Sequence, residues 1–196
     1  CLRCLQCYHI STDRWNVGCS VNPRFANEYF IPREVEPAPR RKRVLVVGAG
    51  PAGCMAAIVA RERGHEVVLA ERSGSVGGAV RLIAQEAHKE DAARYLQYLR
   101  HRIDMLRQGD GFELRLGYAV DTDMVRAMAP DALIVAIGAE PFVPPVSGLD
   151  RATGFASAIE HPDALGQRVV IVGGGTIGAE LALELAEMGR DVTVVE

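Results

Sequence analysis

An α/β fold with parallel sheets is predicted by three features of the 196-residue sequence. A strand, glycine loop, helix and strand pattern occurs twice, at residues 43–71 and 168–196, 125 residues apart and without a gap. Each strand of the pattern is a near-continuous apolar run, as expected where both faces of a parallel sheet are covered. Between the copies, Ala93, Leu96, Leu99, Ile103 and Leu106 recur at helical spacing.

The first 30 residues carry Cys1, Cys4, Cys7 and Cys19, spaced C-x2-C-x2-C-x11-C. Three thiolates this close can converge on one metal centre, with the fourth returning from a loop. Four-cysteine ligation suits an iron–sulfur cluster. The same set can hold a structural zinc, and a disulfide in an oxidising compartment is a third alternative. Zinc sites more often pair their cysteines as CxxC…CxxC, so three in a row point first to a cluster. His9 is an alternative ligand, and Tyr8 and Trp15 are expected to cover the cluster from water. Residues 31–42 are Pro-rich and charged and predict an extended linker. The basic run Arg40 to Arg43 reads as a solvated strand edge rather than a nucleic-acid patch.

In the first repeat, Val44 to Val47 predict a buried strand, followed by the GxGxxG glycines Gly48, Gly50 and Gly53. Gly48 permits the tight turn, Gly50 lets the backbone approach a pyrophosphate, and Gly53 lets the next helix pack closely on the strand. The helix starts near Pro51 and Ala52, where free amides and the positive end of the helix dipole suit phosphates. Residues 66–70 form the second strand, and Glu71 at its end can accept ribose hydroxyls. Glu71 follows Gly53 by 18 residues, close to the roughly 20 expected of this motif. Cys54, just inside the helix, reads as a buried core residue. Gly173, Gly175, Thr176, Ile177, Gly178 and Glu196 repeat the arrangement at identical spacing. Glu196 favours a free ribose diol, hence NADH, because it would repel a 2′-phosphate.

Gly77 and Gly78 lie just past the first acid, in a loop able to approach a cofactor, and Arg72 and Arg81 flank it. Residues 90–108 predict a helix, with Tyr95 and Tyr98 as packing residues. Residues 112–116 and 118–120 predict a hairpin-like excursion. Residues 131–137 predict another buried strand, ending at Gly138. Pro141, Pro144 and Pro145 mark a crossing between domains. His65, His88, His101 and His161 have no ligand spacing and are expected on the surface.

The resulting organisation is a cluster segment at 1–30, a linker at 31–42, a first nucleotide-binding domain at 43–150 and the start of a second at 151–196. A complete half needs further strands and helices, so the second domain reads as truncated. Incomplete cover of Leu181, Leu183 and Leu185, exposed apolar surface and poor stability are expected there. The net charge of −3 argues against nucleic acid or an anionic membrane as partner. No apolar run approaches the roughly 20 residues of a transmembrane helix, so a cytoplasmic protein is expected.

In this order, the cluster cysteines with CSVNPRFANE, then RVLVVGAGPAG, ERSGSVGGAVRLIAQ, DALIVAIGAEPFVPP and RVVIVGGGTIGAELA resemble one family along nearly the whole chain. It is the NADH:flavin oxidoreductases of the Old Yellow Enzyme class that carry an iron–sulfur segment and a reductase module, the 2,4-dienoyl-CoA reductase and trimethylamine dehydrogenase group. The resemblance implies a Rossmann-like fold for two dinucleotides, preceded by the cluster segment. It implies FAD at the first glycine motif with Gly138 beside it, NAD(P)H at the second, and a [4Fe–4S] cluster relaying electrons to FMN. That FMN would sit in an N-terminal barrel absent from this chain, where an activated C=C bond would be reduced. No catalytic residue is assigned to the chain itself, and an oligomer is compatible with the reading. A flavoprotein with a structural zinc and a non-catalytic fragment are the alternatives; the full cysteine set and both glycine triplets argue against the latter.

Overall fold

The computed structural model describes residues 1–8, 18–143 and 145–196. His9, Trp15 and Pro144, which carry three of the expectations above, lie outside the described residues. In chain order the elements are β1 (Arg43–Val47), α1 (Pro51–Glu62), β2 (Glu66–Glu71), α2 (Val80–Ile83), α3 (Glu90–Arg107), β3 (Phe112–Leu116), α4 (Thr122–Met128) and β4 (Ala132–Val135). After two 3-10 turns interleaved with α5 (Phe155–Glu160) come β5 (Arg168–Val172), α6 (Thr176–Glu187) and β6 (Asp191–Val195). Two compact units result: Cys1–Arg81 with Asp91–Gly138, and Leu82–Glu90 with Ala139–Glu196.

The first unit is a parallel sheet in the order β3-β2-β1-β4. Strand β1 is central because its run has no polar face; Leu45 and Val46 are buried. The chain builds outward through β2 and β3, then returns to place β4 on the other side of β1. The strand order therefore switches at β1, and ligands of such sheets bind beyond the carboxyl end of the strands at that point. The glycine loop leaves β1 there.

Val44, Val46, Val67 and Leu69 on one sheet face meet Cys54, Ala57 and Ile58 of α1 and Leu99 and Ile103 of α3. On α3, Ala92, Leu96, Leu99 and Ile103 are the buried residues; Ala92 rather than Ala93 completes the buried face. Tyr95 packs on this core, and Tyr98 stacks on Tyr95 with ring centroids 6.1 Å apart. Leu99 is fully buried, so Leu99→Ala is expected to cost about 2–5 kcal/mol. A lowered urea midpoint with an unchanged slope would confirm this.

Two expectations are corrected here, and one element is added. Residues 112–116 do not form a hairpin with 118–120: they pair in parallel with β2, from Val67↔Phe112 to Glu71↔Leu116. After Gly117, at φ 65°, Tyr118 donates its N–H to the Glu71 carbonyl. Strand β4 is not buried, because it is a sheet edge; Leu133 and Val135 are 43% and 61% exposed. Helix α4 was not anticipated, although Asp121 accepts a hydrogen bond from the Met124 N–H at 2.8 Å, a side-chain cap.

In the second unit β5 and β6 pair in parallel, with Val169↔Val192 in register. Leu181 and Leu185 are buried, not left without cover, because Phe155 and Ile159 of α5 and Leu165 pack with them. Leu183, Val170 and Val172 are each more than half exposed, as expected for this unit. Among the described residues, no helix is long and apolar enough to cross a membrane.

Candidate functional site

The first glycine loop turns on Gly48, at φ 100°, whose N–H donates to the Ala70 carbonyl at 2.7 Å. A Cβ at Gly48 would lie 2.3 Å from the Ala136 carbonyl oxygen of the segment leaving β4. At Gly53 a Cβ would lie 1.8 Å from the Gly48 carbonyl oxygen. These two glycines let α1 sit directly on the turn. Gly50 differs: it has ordinary extended backbone, and its Cβ would meet only the Gly78 Cα, at 3.8 Å. The loop and the Gly77–Gly78 pair are tied by the Gly77 N–H, which donates to the Ala49 carbonyl at 2.8 Å. Gly50 and Gly78 thus oppose each other with no side chain between them.

Helix α1 begins beside this close backbone contact with Gly50 at its N-cap and Pro51 in its first turn, and no side chain caps it. The first amides of a helix have no partner within it, so the start of α1, at Ala52 and Gly53, offers donors and a positive dipole end to a phosphate.

Glu71, at the end of β2, is the one buried charged residue among those described. Its carboxylate accepts the Ala49 N–H at 2.7 Å and the Ser73 N–H at 2.8 Å. Burial alone would raise its pKa. The two N–H donors and the nearby Arg72 charge outweigh burial and hold it below its ordinary value. A depressed carboxylate stabilises the fold above its unfolded pKa, about 4.3, and loses that contribution as pH falls through the folded value. Wild-type stability is therefore expected to decline in this acid range. In Glu71→Ala two N–H groups lose their acceptor, at a cost of about 1–3 kcal/mol, and the decline becomes shallower; urea titrations at several pH values measure both. Arg81 donates to the Ser73 hydroxyl at 3.1 Å, which binds the loop after Glu71 to α2.

The second repeat reproduces the plan within its own unit. Gly173 turns at φ 116°, and a Cβ at Gly178 would lie 1.9 Å from the Gly173 carbonyl oxygen. Gly175 is the N-cap of α6, again without a side-chain cap, with Thr176 and Ile177 in the first turn. Glu196 accepts the Gly174 N–H, as Glu71 accepts that of Ala49. Sequence reading placed both acids but missed this bond, which makes each glutamate a brace for its own glycine loop. The equal 22-residue separations of Ala49 from Glu71 and Gly174 from Glu196 were the available signal.

Other candidates lie elsewhere. Gly138 has φ 73° and open space at its Cβ position. Cys54 is buried, its thiol donates to the Ala49 carbonyl, and burial pushes its pKa up to about 12, so it is an unreactive core residue. Cys1, Cys4 and Cys7 are exposed, and Cys19 is half-buried. The Ser20 hydroxyl, 3.3 Å from Cys4 Sγ, holds that thiol below its ordinary pKa. Among the described residues, no three Cys, His, Asp or Glu side chains converge as metal ligands. The cysteines have the chemistry of a cluster ligand set, but not its geometry in this arrangement. His88, His101 and His161 are exposed as expected, and His65 is half-buried with Nδ1 accepting the Lys42 N–H. The basic run is matched by acids, Arg41 with Glu66 at 2.9 Å and Arg43 with Asp131 at 3.9 Å. A cavity of about 460 Å³, lined by Arg43, Glu66, Phe112, Arg115 and Met128, opens at the amino ends of the strands, away from the glycine loop.

Residues 42–196 match the family model described as pyridine nucleotide-disulphide oxidoreductase. The chain is 38% identical to a bilirubin reductase of Mediterraneibacter gnavus, over 98% of this chain and 30% of the relative. It is 35% identical to an NADH oxidase of Thermoanaerobacter brockii, over 91% of this chain and 28% of the relative. The solved structure of a 2-naphthoyl-CoA reductase in complex with 2-naphthoyl-CoA superposes with a TM-score of 0.86 at 38% identity, over 99% of this chain and 29% of that one. The chain thus spans less than a third of the length of each of these proteins. All three carry oxidoreductase names, in accord with the resemblance drawn from the cysteine and glycine motifs. With two braced glycine loops on parallel sheets and a family match over residues 42–196, the chain belongs to the pyridine nucleotide-disulphide oxidoreductase family.

Proposed function

We propose that this chain is the reductase portion of an iron–sulfur flavoenzyme of the Old Yellow Enzyme class, with FAD at the first glycine loop and NAD(P)H at the second. The observation that carries the reading is the twin set of uncapped helix starts, at Gly50 and Gly175, each beside a loop braced by its own glutamate. A dinucleotide pyrophosphate fits such a start, and Gly50 and Gly78, packed backbone against backbone, keep side chains away from it.

In this proposal Gly48, Gly50, Ala52, Gly53 and Gly78 admit the FAD pyrophosphate, Glu71 orients the ribose, and Arg72 and Gly138 border the cofactor. Gly173, Gly175, Thr176, Ile177 and Gly178 do the same for NAD(P)H, and Glu196 favours the unphosphorylated ribose of NADH. Bound FAD supplies a group that takes two electrons from a nicotinamide hydride and releases them singly. Cys1, Cys4, Cys7 and Cys19 are the proposed ligands of a [4Fe–4S] cluster on number, spacing and thiol chemistry; ligation requires them to draw together. The exposed thiols suit a reducing compartment such as the cytoplasm. An FMN barrel outside this chain would be the electron acceptor and would reduce an activated C=C bond. Similar proteins named for reduction of bilirubin and 2-naphthoyl-CoA support an organic substrate there.

The test is anaerobic titration of the flavin-loaded chain with NADH and NADPH. The proposal expects bleaching of the flavin band, at lower concentration with NADH. It also expects Cys4→Ala to lose iron while keeping flavin. Failure of either nucleotide to reduce bound flavin would refute the assignment of the second loop, and zinc in place of iron would refute the cluster.

A further inference from the structure

We propose that residues 82–90 form a pH-sensitive latch on α6, closed by acid through His88 and Glu86. Glu180, Glu184 and Glu187 occupy positions i, i+4 and i+7 of α6 and so share one face of the helix. Three like charges at this spacing repel unless cations neutralise them. Residues 82–90, in the same compact unit as α6, lay two basic groups on the stripe. Lys89 Nζ is hydrogen-bonded to the Glu180 carboxylate, and His88 Nε2 lies 2.7 Å from Glu187 Oε2. Between segment and helix a cavity of about 190 Å³ is lined by Glu86, Ala87, His88, Lys89, Glu180, Leu183 and Glu184. Within the same cluster, Glu184 Oε2 is buried and has no hydrogen-bond partner among the described residues.

The charges that meet here are the three glutamates of α6 and, from the segment, Glu86, Lys89 and His88. Above neutral pH four carboxylates face one permanent cation. Acid changes both weak points. The hydrogen bond and charge of Glu187, with the charge of Glu184, raise the pKa of His88 above its ordinary value, about 6.5. Burial first, then Glu180 and Glu184, raise that of Glu86, against the opposing effect of Lys89. A raised pKa means that the closed latch binds the proton more tightly than the open one. The stabilisation from His88 is thus complete below its ordinary pKa and is lost as pH rises through the raised value. Glu86 repeats the effect at lower pH. A neutral imidazole can still donate from Nε2, so the switch is graded.

Amide hydrogen exchange of residues 82–90, corrected for the intrinsic pH dependence, tests the latch between about pH 6 and about pH 8. The expected result is a fall in protection of roughly two- to fivefold as pH rises, as for an exposed ion pair. His88→Gln, a substitution at an exposed side chain, is expected to flatten that dependence, and Glu86→Gln to raise protection at neutral pH. An NMR titration of the imidazole is expected to show a raised pKa that falls toward its ordinary value in Glu187→Gln. Protection that does not change with pH while His88 titrates, or an imidazole indifferent to Glu187→Gln, would overturn the proposal.

Discussion

Gly53→Ala is expected to destabilise the first unit by about 3 kcal/mol or more, at the upper end of overpacking costs. The added methyl would stand 1.8 Å from the Gly48 carbonyl oxygen, and both atoms belong to backbone. No side-chain rotation relieves that contact. Helix α1 would have to lift from β1, opening the cluster around Cys54, Ala57 and Ile58 and pulling the glycine turn out of shape. Flavin retention would fall with it. Gly178→Ala, at 1.9 Å from the Gly173 carbonyl oxygen, predicts the same fault in the second unit. Thermal unfolding checks this: a melting temperature of Gly53→Ala within about 2 °C of wild type, less than a 1 kcal/mol change produces, would contradict the packing argument.

Gly50→Val separates binding from folding. The backbone at Gly50, φ −71° and ψ −178°, is one that any residue adopts, and the nearest atom to an added Cβ is the Gly78 Cα at 3.8 Å. The valine would stand against Gly78 and screen the uncapped start of α1. Expected are near wild-type stability and flavin affinity lowered at least tenfold, about 1.4 kcal/mol or more. Equal flavin affinity in this variant would show that the cofactor does not use this loop. The contrast between the two substitutions is the diagnostic: Gly53 serves the fold, Gly50 the ligand.

The parts of the molecule legible in the sequence are those that demand a particular residue type locally. A turn at positive φ needs Gly48 and Gly173, close helix packing needs Gly53 and Gly178, and a central strand needs the apolar run of Val44 to Val47. The acids Glu71 and Glu196 were legible from spacing, but not their role as braces, because a hydrogen bond to a loop amide leaves no pattern in composition. Pairing was the harder inference. Residues 112–116 look the same in a hairpin or in a parallel edge, and only the crossover through α3 decides for the parallel one. Strand β4 is apolar enough to be central, yet its exposure depends on what lies beside it. Cover of Leu181 and Leu185 comes from Phe155 and Ile159, in a stretch whose short helix carries no strong periodicity. The cysteines show the limit most plainly: number and spacing name a ligand set, but they do not specify how four thiols converge.

The most direct test of the central claim is the visible spectrum of the anaerobically purified chain, with flavin, iron and acid-labile sulfide analysis. The account predicts bound FAD, and about four irons and four sulfides per chain as a four-cysteine cubane requires. A purified, folded chain that takes up no flavin even when FAD is supplied would contradict it.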